Sequence, residues 1–374
     1  MTHSLTSQRG LSLVELLVAI AIGAILIFGA TQAYVDSRNA FAVNESVARM
    51  QENGRYAMSL LEPDLRMSNF WGLQKGADII SNKFKKTDGQ AAFAGAAATS
   101  CGNNYGVDLE NNIEGTEASY FSTVCLPYKN GASPTSGNNV TTADTLTIRR
   151  ASTVESTAAA TFGSLRICST RGGGILVANT TLSPLCAGAA AVPKTAQIND
   201  LVTNVYYVDK DSEQAAGYPS LRRYWLDVNG SMGTKNKFQD AEVVAGVEDM
   251  QVEYGVDRSG GYGAAGGAAV QYLPAGATLS GLLNAVTNPA QIVSVRIWLL
   301  VRADAPEVGF TDDRIYVYGT RTDAATPTGD LNDATKAAQG FQPSLNSDNS
   351  PTGLKHYRRV LISRTIQIRN AMGT

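Results

Sequence analysis

The sequence is poor in the side chains that most metal sites and nucleophilic catalysts use. It has two histidines, His3 and His356, in 374 residues, and its four cysteines include no pair at the Cys-x-x-Cys spacing. Zinc sites draw on several such ligands at short spacing, and a histidine-based catalytic triad could form only around His356. The chain also lacks a P-loop and a nucleophile-elbow motif. We therefore predict that the protein is not an enzyme.

Charge is scarce as well. The sequence has 31 Lys and Arg residues against 33 Asp and Glu, and charged residues make up 17% of the chain. A protein that binds nucleic acid would be expected to carry a basic run or a strong excess of Lys and Arg. The formal net charge is −2, so we predict no nucleic-acid partner.

Two kinds of pattern that resemble ligand-binding motifs are interpreted as loops. Residues 261–266 match Gly-x-Gly-x-x-Gly, but more glycine and then Pro274 follow where a nucleotide-binding motif would open a helix. Three short stretches gather carboxylates without the full spacing of a known calcium loop. These are Asp209, Asp211 and Glu213; Asp312 and Asp313; and Asp330 and Asp333. We predict solvated turns and no cofactor, with calcium as the alternative.

The most distinctive stretch is an apolar run near the N-terminus. From Leu11 to Ala30 every residue except Glu15 is apolar or small, and no proline interrupts the run. A helix of this length spans about 30 Å, the thickness of the hydrocarbon core of a bilayer. The polar leader, residues 1–10, contains Arg9, so the positive-inside rule places the leader in the cytoplasm and the rest of the chain outside.

Three interpretations of this run remain open from the residues alone. It could be a signal peptide cut near Ala30, an uncleaved membrane anchor, or a segment whose leader is cut between Gly10 and Leu11. Glu15 helps to separate them, because a carboxylate in lipid costs roughly 2.5–3.5 kcal/mol on insertion scales. A discarded signal or a plain anchor gains nothing from that charge.

The helix is predicted to continue beyond the membrane as an amphipathic segment, residues 32–65. Apolar or small residues recur there at steps of three and four, which defines one helical face. They are Val43, Val47, Met50, Gly54, Ala57, Leu61 and Leu65. Pro63 should end or kink this helix, because the residue before a proline is steered out of the α region.

The remainder, residues 66–374, is predicted to be a loop-rich, mainly antiparallel β head, possibly of two lobes. Strand-like runs occur at 145–149, 175–178, 205–209, 221–227, 292–302 and 360–369, and the third and fourth should form a hairpin. Residues 241–257 are predicted to start as a helical turn and end as a strand. Residues 75–196 give no recognisable fold.

The N-terminal residues carry a family resemblance. The sequence Gly-Leu-Ser-Leu-Val-Glu at residues 10–15, preceded by Arg9, resembles the prepilin motif of type IV pilins and pseudopilins. The resemblance implies that a prepilin peptidase cuts after Gly10 and methylates the new N-terminus at Leu11, where the family usually has phenylalanine. It also implies that Glu15 pairs with the amine of a neighbouring subunit and sets the register of assembly.

The C-terminal half extends the resemblance. Val247–Asp257, the run at 295–302 and the ending at 357–370 are similar to PilW-type minor pilins. This implies a pilin-like α+β fold with one long N-terminal helix: a leader at 1–10, a transmembrane and filament-core segment at 11–31, an amphipathic continuation at 32–65 and the head at 66–374. It further implies a single-pass protein of the bacterial inner membrane, with its head in the periplasm, that later enters the pilus.

The function that this resemblance implies is help in initiating a type IV pilus, with a place at the tip. The implied partners are other minor pilins, the major pilin, a tip adhesin, the prepilin peptidase and the inner-membrane assembly platform. Two alternatives remain: a tip pseudopilin of a type II secretion system, and a membrane-anchored periplasmic adhesin or enzyme that keeps its leader.

Four cysteines allow three disulfide pairings. If the head is periplasmic, disulfides can persist there. The simplest pairing joins Cys101 to Cys125 and Cys168 to Cys186, so that each bond closes a modest loop. Buried free thiols are the alternative.

Overall fold

A computed structural model of the protein describes residues 12–74, 76–82, 101, 104–156, 164–177, 189, 195–228, 237–257, 269, 271–276, 291–307, 309–319 and 353–371. One long helix, α1 (Leu13–Arg66), is followed by twelve strands in two sheets. The order of elements and the mainly antiparallel pairing confirm the predicted α+β fold class. The described chain divides into two compact units, which meet within α1 between Arg49 and Met50.

The first unit, which ends at Arg49, consists of the N-terminal part of α1 in the described range. Strong helix formers are mixed there with β-branched and aromatic residues of lower helix propensity, and Gly23 and Gly29 are the weakest. Glu45 and Arg49 form an ion pair four residues apart on the helix surface, worth a few tenths of a kcal/mol. Helix propensity alone therefore does not explain this segment.

The second unit contains the last turns of α1, where the first of the two effects expected of Pro63, an end of the helix, was wrong. Pro63 lies inside the helix, which ends only at Arg66. A proline removes one N–H and crowds the carbonyl four residues earlier. That carbonyl belongs to Ser59 on the exposed face, where water can satisfy it. The turn beyond the proline is retained because its residues Asp64 and Leu65 are buried against the head.

The larger sheet has eight strands. Its main path runs β1-β5-β4-β6-β3-β2; β7 also pairs with β6, and β8 pairs with β7. All pairs are antiparallel except β1 with β5. The strands are β1 (Ile80–Ser81), β2 (Ile113–Thr116), β3 (Thr145–Glu155), β4 (Arg166–Thr170), β5 (Gly173–Val177), β6 (Ala196–Asp209), β7 (Ser220–Asp227) and β8 (Lys237–Ala245).

The smaller sheet has four antiparallel strands in the order β10-β9-β11-β12. They are β9 (Val247–Asp257), β10 (Gln271–Pro274), β11 (Gln291–Arg302) and β12 (Arg359–Gln367). Strands β9 and β11 are inner strands, and their apolar side chains are almost entirely buried. Continuous apolar runs are expected for strands that are covered on both faces, and this explains why β11 is the strongest strand signal in the sequence.

The hairpin between β6 and β7 and the segment before β9 were both subjects of sequence-based predictions. The hairpin predicted around residues 210–219 is confirmed, because β6 and β7 pair from Asp209 opposite Ser220. The helical turn predicted at the start of residues 241–257 was wrong. Those residues complete β8, and Gly246 then turns the chain into β9 with a φ of +90°. Ladder bonds to β7 override the helix propensity of this Ala- and Glu-containing segment.

The end of α1 contacts both sheets within the second unit. A Cβ added at Gly54 would clash with Ile362 Cδ1, so the helix approaches the smaller sheet closely at this glycine. Asn53 donates a hydrogen bond to the carbonyl of Ala245, at the end of β8. Asp64 accepts hydrogen bonds from side chains of the larger sheet, described below. The C-terminal turns of the helix therefore contact both sheets and link them.

Candidate assembly site

The N-terminal part of α1 presents an almost continuous apolar surface. Eleven large apolar side chains between Leu13 and Phe28 are exposed by half or more of their surface: Leu13, Val14, Leu16, Leu17, Val18, Ile20, Ile22, Ile25, Leu26, Ile27 and Phe28. By length and composition α1 could cross a membrane. Exposing this much apolar area to water would be unfavourable by about 25 cal/mol per Å². The segment therefore requires lipid or other helices around it.

Glu15 lies in the first turn of α1, and a local hydrogen bond fixes where that turn begins. The Ser12 hydroxyl accepts a hydrogen bond from the backbone N–H of Glu15 at 3.2 Å. Ser12 is thus the N-cap, and the spacing Ser-x-x-Glu is that of a capping box. A carboxylate in the first turn also interacts favourably with the helix dipole. Sequence reasoning missed this cap, although the Ser-x-x-Glu spacing was a readable signal for it.

Of the residues predicted to act in cleavage and assembly, the structure describes Glu15 but not Gly10 and Leu11. Glu15 is described and exposed among the apolar side chains of α1. The predicted cleavage site, Gly10 and Leu11, lies outside the described residues. Cleavage, methylation and the pairing of Glu15 with an amine therefore stay predictions at this point.

A disulfide joins Cys101 to Cys125, the first of the two predicted pairs, with a Cα–Cα distance of 4.7 Å. Cys101 is buried in an aromatic cluster that also contains Tyr105, Tyr207 and Tyr224, and Cys125 packs against it. The Ser122 hydroxyl donates to the carbonyl of Cys101 and accepts from the backbone N–H of Cys125. The bond therefore holds a loop-rich segment against the face of the larger sheet.

Cys168 on β4 is buried and also disulfide-bonded. Its predicted partner, Cys186, lies outside the described residues, so the pairing of these two cysteines stays a prediction. Buried free thiols, the alternative, are not found in the described part of the chain.

We expect the double substitution Cys101→Ser and Cys125→Ser to lower the free energy of unfolding by about 3 kcal/mol, because the bond closes a loop of 24 residues. The measurement is chemical denaturation of the detergent-solubilised protein, followed by tryptophan fluorescence. Val124→Ser, at an exposed neighbouring position, is the control. A double variant as stable as this control would contradict the prediction.

The carboxylates that suggested calcium are engaged by protein groups. Asp209 Oδ1 accepts from the Asn138 side chain at 2.7 Å and from the backbone N–H of Asp211 at 2.9 Å. Asp211 accepts from the backbone N–H groups of Asn130 and Gly217. Among the described residues, no group of three or more His, Cys, Asp or Glu side chains could hold a metal ion. The stretch at Asp330 and Asp333 and the glycine-rich residues 261–266 lie outside the described range.

Asp209 is fully buried, and its second oxygen, Oδ2, has no hydrogen-bond partner in the described structure. Burial raises the pKa of the Asp209 carboxyl to about 7, against the opposing effects of its hydrogen bonds and the Arg222 charge. The unfolded value is about 3.9. Because the folded state binds the proton more tightly, protonation of Asp209 contributes to the free energy of unfolding. That contribution is fully present below about pH 4 and is lost as the pH rises through 7.

We expect Asp209→Asn to stabilise the protein at pH 8 by between about 1 and 4 kcal/mol and to change little at pH 4.5. The amide oxygen can keep both hydrogen bonds of Oδ1, while the amide nitrogen replaces the unpartnered Oδ2 without a charge. Denaturation midpoints of the wild type and the variant at the two pH values provide the measurement. An equal effect at both pH values would show that Asp209 does not titrate in this range.

Two family models match the chain. The model described as Type IV Pilus-assembly protein W matches residues 205–370, and the Prokaryotic N-terminal methylation motif matches residues 5–31. Among solved structures, a type IV-like pilin, TTHA1219 from Thermus thermophilus, is similar at 11% sequence identity. The match covers 61% of this chain and 80% of that chain, with a TM-score of 0.25. No curated protein sequence matches the chain.

Proposed function

Because the chain is a membrane-anchored pilin of the PilW type, we propose that it is a minor pilin that helps to initiate a type IV pilus and remains at its tip. One observation carries the proposal. A carboxylate, Glu15, lies in the first turn of a helix whose other N-terminal residues are apolar and exposed, within the segment, residues 5–31, that matches the N-terminal methylation motif. A helix built in this way is suited to bundle with similar helices.

The proposed mechanism begins with insertion, with the leader on the cytoplasmic side and the head in the periplasm. Cleavage after Gly10 creates a free amine on Leu11, which is then methylated. In a bundle of such helices the Glu15 carboxylate meets the amine of an adjacent subunit. A buried ion pair adds little net stability because both charges lose water, but it is an effective device for setting register. Apolar contact between the helices drives their packing, and the pair of the Glu15 carboxylate with the amine fixes the axial offset between adjacent subunits.

The proposed partners are other minor pilins, the major pilin, a tip adhesin and the inner-membrane assembly platform. The prepilin peptidase acts on this chain, and the chain itself acts on no substrate. The head supplies the surfaces that distinguish one neighbour from another. The family match to a pilus-assembly protein over residues 205–370 favours a pilus over a secretion system.

The proposal is tested by the intact mass of the protein isolated from its native membrane. We expect a chain that begins at methylated Leu11, and a strain without prepilin peptidase should yield the uncut chain that begins at Met1. The protein should then co-purify with sheared pili and not with secretion components. An uncut chain in the wild-type strain, or a chain that begins near Thr31, would overturn the proposal.

A further inference from the structure

The last strand of the smaller sheet, β12, lies at the edge of that sheet. Among the described strands it pairs only with β11, and the register runs without a shift from Arg302 opposite Arg359 to Ser294 opposite Gln367. The strand contains no proline, glycine or bulge in this range. Natural sheets often protect a long, regular edge with a proline, a bulge, a charged side chain or a covering segment, because its unpaired backbone groups can bind another strand.

The hydrogen bonds at the two ends of β12 show which backbone groups face outward. The carbonyl of Arg358 accepts from Ala303 at 2.9 Å, and the N–H of Ile368 donates to Val293 at 3.0 Å. In an antiparallel ladder every second residue bonds to the neighbouring strand. Even-numbered residues of β12 therefore face β11, and odd-numbered residues direct their N–H and C=O groups away from the sheet.

The first of these outward groups is covered by the chain itself. The carbonyl of Arg359 accepts a hydrogen bond from Arg314 Nη2 at 3.1 Å. Beyond it the outward residues are Leu361, Ser363, Thr365 and Gln367, a row about 20 Å long. Leu361 is half-buried and the side chains of the other three are exposed. No hydrogen bond between described residues reaches the outward backbone groups of these four.

The charge along this edge is of one sign. From residue 359 to residue 369 the chain has three arginines and no Asp or Glu. Arg359 is buried and paired with Glu248, so Arg364 and Arg369 supply the exposed charge. Arg364 is half-exposed and shares its carboxylate partner, Glu62, with Arg66, so these three side chains together carry a net charge of +1 within the described part of the chain. Arg369, just beyond the strand, is exposed. An antiparallel second copy centred on Arg364 would place arginine opposite arginine, which is unfavourable.

We propose that the β12 edge binds an extended segment carrying Asp or Glu from a different pilin subunit, which adds a strand to the smaller sheet. The backbone row at residues 361–367 supplies the hydrogen bonds, as in other cases of strand addition, and Arg364 and Arg369 select an acidic partner. The identity of the partner as a pilin rests on the proposed function. The edge thus supplies a second contact between subunits, independent of the N-terminal helices.

The test is photo-crosslinking of the full-length protein in its native host, with benzoyl-phenylalanine at Thr365 on the edge. Val154, exposed by 73% on the larger sheet, is the control position. We expect the Thr365 probe to yield a crosslinked peptide from another pilin subunit that contains Asp or Glu, and the Val154 probe to yield none. A crosslink to another part of the same chain, to a second copy or to a protein that is not a pilin would overturn the proposal.

Proline variants supply the second measurement. Ser363→Pro removes an outward N–H and leaves the bonds to β11 in place, so we expect about tenfold less crosslink at Thr365, while Ser363→Ala should match the wild type. Gln367→Pro, near the end of the strand, repeats the test where a proline disturbs the sheet least. Unchanged yield in the proline variants overturns the proposal. If the leader is cut and the protein reaches the pilus but Thr365 gives no crosslink, the edge proposal fails and the proposed function stands.

Discussion

Replacing Glu15 with leucine should leave the protein in the membrane and reduce its recovery in pili by at least about a hundredfold. In the proposed bundle the substitution leaves the amine of a neighbouring Leu11 buried without its partner. Loss of one member of a buried pair costs about 3–5 kcal/mol, which corresponds to between about two and four powers of ten in an equilibrium. The measurement is the ratio of this subunit in sheared pili to that in the membrane fraction.

Glu15→Gln separates two roles of this residue. Glutamine keeps the Ser12 cap, which binds the backbone N–H of residue 15, and removes only the charge, whereas loss of the cap itself costs about 1 kcal/mol. If Glu15 pairs with an amine, Glu15→Gln should assemble almost as poorly as Glu15→Leu, and Ser12→Ala should have a small effect. Glu45→Leu, which breaks an exposed ion pair of the same helix, is the matched control and should assemble normally. Normal assembly of Glu15→Gln would show that the negative charge of Glu15 is not needed for assembly.

The features that could be predicted from the sequence are those that depend on residues close together in the chain. The apolar run after Arg9, the alternation in β12 and the buried run of β11 each depend on neighbours within one element. Local periodicity reports this kind of structure directly. The motif that resembles a prepilin site is also local, because it lies within the consecutive residues 9–15.

The features that sequence did not predict depend on residues far apart in the chain. The helix passes Pro63 because its next turn is anchored to strands that lie 86 to 142 residues later. The segment before β9 forms the strand β8 because its backbone pairs with β7. The same limit applies to the edge of β12, which is recognised as an edge only when the order of strands is known. Propensity is a weak guide wherever a tertiary contact decides the outcome.

That anchor supplies the second large prediction. Asp64, 5% exposed, accepts a hydrogen bond from Arg150 Nε at 2.7 Å through Oδ1. Its Oδ2 accepts from Asn204 Nδ2 at 2.7 Å and from the Tyr206 hydroxyl at 3.0 Å. Burial, and then the negative charge of Asp64, raises the pKa of Tyr206, so its hydroxyl stays a donor. Three side chains from β3 and β6 thus share the Asp64 carboxylate of α1, and each of them loses a hydrogen-bond partner if the carboxylate is removed.

We expect Asp64→Ala to lower the free energy of unfolding by about 3–5 kcal/mol, because it removes the carboxylate partner of Arg150 and the acceptor of two buried side chains. Arg150→Ala should cost less when it is added to Asp64→Ala than when it is made alone, and a double-mutant cycle by chemical denaturation measures this coupling. Glu62→Ala, in the same helical turn, is the control and should cost less than about 1 kcal/mol, since its partners are exposed. Equal losses at Asp64 and Glu62 would mean that apolar packing alone, and not this carboxylate, holds the turn beyond the proline.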